Sequence, residues 1–260
     1  MKKIVFFDID GTLWDEHLNI PESTVKAIRR LRQNGHYAFI CSGRSRSNIK
    51  NKKLLAIGFD GIIAACGTSI EFNGENRYEA ILTAQQVKKI VLALEKHKIP
   101  AVLEGPEYVY VSPDDFLDDP YVMYLREELK DRVADIKTDV NEIVINKLSA
   151  SLNGADLAAF KEELGKEFDV MEHGQNLIEI MPHGASKATG IEKVCEMLHI
   201  SRENTYAFGD SVNDIEMLSF VAHGIAMGNG SEAAKGAAEY ITAAIDADGI
   251  YHGLKHYELI

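Results

Sequence analysis

Two short apolar runs at opposite ends of the chain break into paired carboxylates. Ile4-Val5-Phe6-Phe7 runs into Asp8-Ile9-Asp10-Gly11-Thr12, and Thr205-Tyr206-Ala207-Phe208 into Gly209-Asp210-Ser211-Val212-Asn213-Asp214. Apolar runs this short, bounded by glycine and acids, read as buried strands ending at loops. Such distant acidic ends converge only if the two strands lie side by side in one sheet. Four carboxylates in one crevice repel each other unless a hard cation is held among them, and an all-oxygen ligand set suits magnesium. The pattern points to phosphoryl transfer at a magnesium site.

The rest of the chain alternates in a way that supports such a sheet. Residues 21–34 read as an amphipathic helix with Val25, Ile28 and Leu31 on one face, Pro21 near its start and Gly35 after its end. A strand at 36–41 runs into Ser42-Gly43-Arg44, a third spans 61–66, and 69–72 begins a hairpin turning at Asn73-Gly74. From Ser186 the rhythm resumes: a helix to about 199, the acidic strand, a helix at 214–221, a strand at 223–227 and a helix at 231–238. This is an α/β chain with a Rossmann-like, mostly parallel sheet.

The middle reads differently. Thr83 with Gln86 forms a capping box for a helix to residue 97. Strands follow at 101–104 and 108–111, then an acidic helical stretch at 114–135 interrupted by Pro120, a strand at 142–149, a helix at 155–168 and a hairpin pairing 168–172 with 177–181. Antiparallel strands mixed with helices imply an inserted α+β domain. The expected division is core at 1–82, insert at 83–184 and core again at 185–260.

A formal charge of −12 argues against nucleic-acid or anionic-membrane partners. Cys41, Cys66 and Cys195 are odd in number and widely spaced, so neither a disulfide framework nor a zinc site is expected. Asp8 ends the first apolar run after four residues, too soon for a signal-peptide core, and no stretch is long enough to span a bilayer. The simplest location is a reducing cytoplasm; oligomeric state is not legible.

The two acidic blocks resemble the haloacid dehalogenase superfamily of phosphohydrolases, closest to its Cof-type branch, whose members carry a large cap inserted mid-chain. The resemblance implies magnesium-dependent hydrolysis of small phosphorylated metabolites, such as sugar phosphates or phosphorylated cofactors, through an aspartyl-phosphate. It makes Asp8 the nucleophile and Asp10 the acid that protonates the leaving alcohol and later deprotonates water. It places magnesium among Asp8, Asp10 (through its backbone carbonyl), Asp210 and Asp214. Thr12 would fix the loop or Asp10, and Asn213 the phosphate or its loop. Ser42, where relatives more often have threonine, and Gly43 would bind phosphate. Arg44 is expected either to touch substrate or to pair with a carboxylate, and Lys187 to neutralise the nucleophile–phosphate cluster. Cys66 stands where relatives commonly have asparagine and reads as a buried apolar residue. Trp14 lies in what resembles a mobile flap and reads first as packing. A large cap would close over a small substrate, which favours metabolites over phosphoproteins.

Two other functions use part of the same pattern. A phosphotransferase or mutase would pass the aspartyl-phosphate to a second alcohol. A phosphate-responsive regulatory module, like a bacterial receiver, would be far shorter and have no inserted domain. Gly228-Asn229-Gly230-Ser231-Glu232-Ala233 matches a dinucleotide fingerprint, but too little chain follows to build that fold. It reads instead as a tight strand-to-helix turn.

Overall fold

The computed structural model describes residues 2–112, 114–116, 119–136, 141–173 and 176–260. Along the chain the elements are β1 (Ile4–Phe7), α1 (Glu22–Gln33), β2 (Tyr37–Cys41), α2 (Lys52–Leu55), β3 (Gly61–Ala64), β4 (Ser69–Phe72) and β5 (Glu75–Glu79). The middle carries α3 (Ala84–His97), β6 (Ala101–Glu104), β7 (Val109–Val111), α4 (Pro120–Leu129), β8 (Val133–Ala134), β9 (Lys147–Ser151), α5 (Leu157–Leu164), β10 (Phe168–His173) and β11 (Leu177–Pro182). The last part adds α6 (Lys187–Leu198), β12 (Thr205–Gly209), α7 (Ile215–Phe220), β13 (His223–Ala226), α8 (Glu232–Ala237), β14 (Tyr240–Ile241) and α9 (Gly249–His256).

The chain divides into two compact units, one of Met1–Gly43, Lys50–Tyr78 and Ser186–Ile260, the other of Arg44–Ile49 and Glu79–Ala185. In the first, the described strands form a sheet in the order β14-β13-β12-β1-β2-β3-β4-β5. From β14 to β3 every pairing is parallel, and β4 turns back antiparallel on β3. β1 is therefore central, flanked by β12 and β2, and all four of its residues are buried. A strand buried on both faces has no polar side to show, which is why Ile4–Phe7 reads as a continuous apolar run. Phe6, Phe39, Ile63 and Ala207 pack with Ile191, Val194 and Met217 of the helices, while Phe7 stacks on Phe208 at 5.2 Å between ring centroids.

The second unit holds a six-stranded sheet in the order β10-β11-β9-β6-β7-β8, antiparallel except for β7 with β8. Alternation along each strand divides its side chains between two faces. Leu103, Leu148, Ile178 and Ile180 join Val87, Ile90, Phe160 and Leu164 in one core, and Val102, Val109 and Val111 pack with Val122, Leu125 and Leu129 of α4 in another. The capping box at Thr83 and Gln86 is formed. Among the described residues no helix is long and apolar enough to cross a membrane.

Several local expectations change. Pro120 does not interrupt a helix but begins α4, where its missing N–H costs nothing; Leu117 and Asp118 of the expected 114–135 stretch lie outside the described residues. The strand expected at 142–149 is shifted to Lys147–Ser151, and the strand expected to reach residue 66 stops at Ala64. The segment after Ala64 turns left-handed instead, with positive φ at Ala65, Cys66 and Gly67. β14 and α9 were not anticipated.

Candidate functional site

The parallel pairing of β1 with β12 sets Phe7 opposite Phe208, and the Asp8 amide continues the ladder by donating to the Phe208 carbonyl at 3.0 Å. Both acidic loops thus leave the sheet at the same, carboxyl, end of its parallel strands. One carboxylate oxygen each from Asp8, Asp210 and Asp214 lie within 4.8 Å of one another. Asp8 and Asp214 are buried, at 4% and 0% exposure.

Lys187, in the first turn of α6, supplies the countercharge. Its ammonium donates to Asp8 Oδ1 and Asp214 Oδ1, each at 2.6 Å, and to Asn213 Oδ1 at 3.2 Å. Ser186 caps the helix, accepting from the Thr189 amide while the Thr189 hydroxyl accepts from the Ser186 amide. Burial works against the lysine's charge, but Asp214 and Asp8 outweigh it and hold its pKa well above the ordinary value. Burial, reinforced by Asp214, pushes the Asp8 carboxyl upward against the pull of Lys187. Asp210 is pushed up to about 6, by burial and then by Asp214.

The loops are tied to one another. Thr12 donates its hydroxyl to Asp210 Oδ1 at 2.8 Å. Asp214 Oδ2 accepts from the amides of Asp210 and Ser211 at 2.9 and 3.0 Å, so this carboxylate also organises its own loop. Gly11 has φ +79°, and a Cβ there would stand 2.3 Å from Asp210 Oδ2. Only glycine allows the first loop to approach the second so closely.

Asp10 is exposed, and its Oδ1 accepts from the Trp14 indole N–H at 2.9 Å. Trp14, 2% exposed, is therefore packed and also holds the side chain expected to move protons. Ser42 is buried at the end of β2, the neighbour of β1; its amide donates to the Ile63 carbonyl at 2.9 Å, and its carbonyl accepts from the Cys66 amide at 3.2 Å. Gly43 follows in the same unit, whereas Arg44 belongs to the second unit, where it donates to Asn48 Oδ1 at 3.4 Å.

Asn229 is a supporting residue that the motif reading passed over. Its Nδ2 donates to the Gly11 carbonyl at 2.8 Å and its Oδ1 accepts from the Ile245 amide at 2.9 Å. The signal was present in Gly228-Asn229-Gly230: the tight turn expected there buttresses the Asp8–Thr12 loop. Nearby, the buried Cys41 thiol lies 3.9 Å from the Lys187 carbonyl, and burial raises its pKa far above the range of a reactive thiol.

Chemically, the cluster offers hard oxygen donors and an anionic surplus. One ammonium faces Asp8, Asp210 and Asp214, and desolvation, with the added negative charge of Asp10, already disfavours ionisation of Asp8 and Asp210. Such a set fits a small divalent cation bound through carboxylates and water.

Similarity to known proteins places the chain among phosphate-ester hydrolases. The haloacid dehalogenase-like hydrolase family matches residues 5–254. The chain is 32% identical over 264 residues to the Bacillus subtilis (strain 168) protein named "Putative phosphatase YkrA", covering 99% of this chain and 98% of that one. It is 30% identical over 272 residues to 5-amino-6-(5-phospho-D-ribitylamino)uracil phosphatase YitU from the same organism, covering 98% and 97%. Among solved structures, the subclass IIB sugar phosphatase BT4131 superposes with a TM-score of 0.82 at 26% identity, covering 100% of both chains. With its acidic loops joined at the carboxyl end of two central strands and this match spanning nearly its whole length, the chain belongs to the haloacid dehalogenase-like hydrolases, as a phosphatase of their Cof-type branch.

Proposed function

We propose that the protein is a magnesium-dependent phosphomonoesterase that hydrolyses small phosphorylated metabolites through an aspartyl-phosphate on Asp8. The observation that carries this reading is the approach of half-buried Asp210 to buried Asp8 and Asp214, which a single lysine bridges. Asp8, Asp210 and Asp214, with the backbone carbonyl of Asp10, would hold the cation. Bound there, magnesium would offset the charge of the phosphoryl group and of the carboxylates around it.

The chain's own groups then have distinct tasks. Asp8 attacks phosphorus as the ester P–O bond breaks, and Asp10 gives its proton to the departing alkoxide. Asp10 next takes a proton from water, which attacks the aspartyl-phosphate, releasing inorganic phosphate and restoring the Asp8 carboxylate. Lys187 and Asn213 stabilise charge on the phosphoryl oxygens, helped by Ser42 and the loop amides near Gly43. Thr12 steadies Asp210. Arg44 and residues 83–184 are assigned to substrate selection, the latter as a cap.

The substrate class rests on relatives. YitU is named for a ribityl phosphate carried on a pyrimidine, and BT4131 is described as a sugar phosphatase. Polyol and sugar phosphates, free or attached to a cofactor precursor, are therefore the compounds to try first. Phosphate release should be followed across such a panel, with and without magnesium, for wild type and Asp8→Asn. Metal-dependent turnover by the wild type alone is expected; equal turnover by Asp8→Asn rules out Asp8 as nucleophile. Label passing to an added alcohol instead of water marks a phosphotransferase.

A further inference from the structure

We infer that Gly67 and Gly190 are positioning residues for Lys187, their backbone contact setting where the α6 N-terminus stands against Asp8 and Asp214. The inference rests on the role assigned above to Lys187. Gly190 is three residues beyond Lys187, in the same opening turn of α6. A Cβ on Gly190 would lie 2.8 Å from Gly67 Cα and 2.7 Å from Ile63 Cγ2. A Cβ on Gly67 would lie 2.2 Å from the Ser186 carbonyl oxygen and 2.9 Å from the Gly190 nitrogen. Each glycine thus occupies the space the other's side chain would need, and the helix meets the turn backbone against backbone.

The turn itself is an unusual piece of chain. Ala65, Cys66 and Gly67 have φ of +48°, +52° and +84°. Two successive non-glycine residues in the left-handed region are strained and persist only where their surroundings hold them. Three hydrogen bonds and one close packing contact do so here. The Cys66 amide donates to the Ser42 carbonyl at 3.2 Å, and the Thr68 amide and hydroxyl donate to the Ala65 carbonyl at 3.2 and 2.7 Å. The packing contact is the seating of Gly67 on α6. A single rigid turn therefore sets the spacing between the strand end that carries Ser42 and the helix that carries Lys187.

Other features of α6 hold this distance less closely: the Cys41 thiol reaches the Lys187 carbonyl only at 3.9 Å. The Ser186–Thr189 capping box defines where the helix starts, not how far it stands from the sheet. Ile191 and Val194, both fully buried, hold the helix on the core through non-directional apolar contact. The lysine cannot make up the difference itself, because it is 2% exposed and its ammonium is engaged at 2.6 Å on two sides. A displacement of a few tenths of an ångström at Gly190 passes directly to the ammonium.

The test compares Gly190→Ala and Gly67→Ala with Gly236→Ala, a position in α8 where a Cβ meets nothing within 4 Å. Two readouts are taken: kcat and KM, and the Lys187 side-chain ammonium resonance, assigned by its loss in Lys187→Met. Gly190→Ala and Gly67→Ala are expected to lower kcat about tenfold or more, with KM changed less, and to shift or broaden that resonance. Gly236→Ala should alter neither. Wild-type kcat and an unmoved resonance in folded Gly190→Ala would overturn the proposal. Should both alanine variants fail to fold, Cys66→Gly adds no atoms and only slackens the turn. It is expected to broaden the resonance and lower kcat, and an unchanged resonance and rate there would equally sink the idea. The resonance also separates two failures: an inactive wild type removes the phosphatase reading, while the ammonium still reports on positioning.

Discussion

Lys187 Nζ stands 2.6 Å from Asp8 Oδ1, although 179 residues separate the two in sequence. The same nitrogen is 2.6 Å from Asp214, and neither ion pair is reached by solvent to any extent. Removing one member of a buried ion pair leaves its partners charged and unpaired, a cost of about 3–5 kcal/mol. Lys187→Met should therefore lose that much stability in metal-free protein, measured by urea denaturation, and most of its turnover. Lys187→Arg should not restore activity, because a planar fork cannot take the place of a compact ammonium.

Gly11→Ala should damage the site more than its size suggests. The methyl must enter space held by Asp210 Oδ2, 2.3 Å away, at a backbone angle of φ +79° that alanine resists. Magnesium affinity, followed by calorimetry, is expected to fall by about tenfold or more, a loss of about 1.4 kcal/mol or greater. Unchanged affinity would mean that Asp210 can move aside at no cost to the cluster.

The elevated pKa of Asp210 has a definite consequence for pH dependence. Its folded value of about 6 lies above the ordinary 3.8, so the folded state holds this proton more tightly than the unfolded state. In metal-free protein its contribution to stability is therefore lost as pH rises from about 4 through 6, and a penalty of roughly 2–3 kcal/mol is complete above that range. Asp210→Asn keeps an oxygen to accept the Thr12 hydroxyl but carries no charge. With a chelator present, it should be more stable than wild type at pH 7.5 and no more stable at pH 4. Added magnesium should reverse the order at pH 7.5, since only wild type keeps the full ligand set.

Trp14→Phe should lower kcat about tenfold while leaving the fold intact. The change removes the one N–H that the indole donates to Asp10 Oδ1 and keeps most of the buried ring. A hydrogen bond is worth about 0.5–1.5 kcal/mol net, here expected in the orientation of the acid more than in folding. Steady-state kinetics together with thermal denaturation separates the two.

The second unit offers a test in stability alone. Lys147 is 1% exposed and pairs with Glu179 and, at 3.5 Å, with Glu104, which also accepts from Ser149 Oγ at 2.8 Å. Lys147→Met alone should cost about 3–5 kcal/mol by stranding two buried carboxylates, and replacing all three charged residues with apolar ones should recover much of it.

Much of the framework could be read along the chain. β1 and β12 announce themselves because strands buried on both faces must be apolar throughout, and acids at their ends stand out against that background. The cap at Thr83 depends on Gln86 three residues away, so local sequence reports it well. Pro120 was misread because proline at a first helical position and proline within a helix differ only in where the helix begins. α9 escaped because its Gly249 and Gly253 weaken the local helical signal, whereas a Cβ on Gly253 would crowd Phe208 at 2.5 Å.

The sequence by itself marked Asp8, Asp10, Asp210 and Asp214 as carboxylates at the ends of two apolar strands, while Lys187 was reached only through the family resemblance. Only the tertiary structure decided how they are held. The indole on Asp10, Asn229 beneath Gly11, the left-handed turn at Cys66 and the contact of Gly67 with Gly190 each join segments far apart in sequence or depend on backbone angles. Neither kind of information is written in local pattern, because periodicity reports which face is buried and not what lies against it.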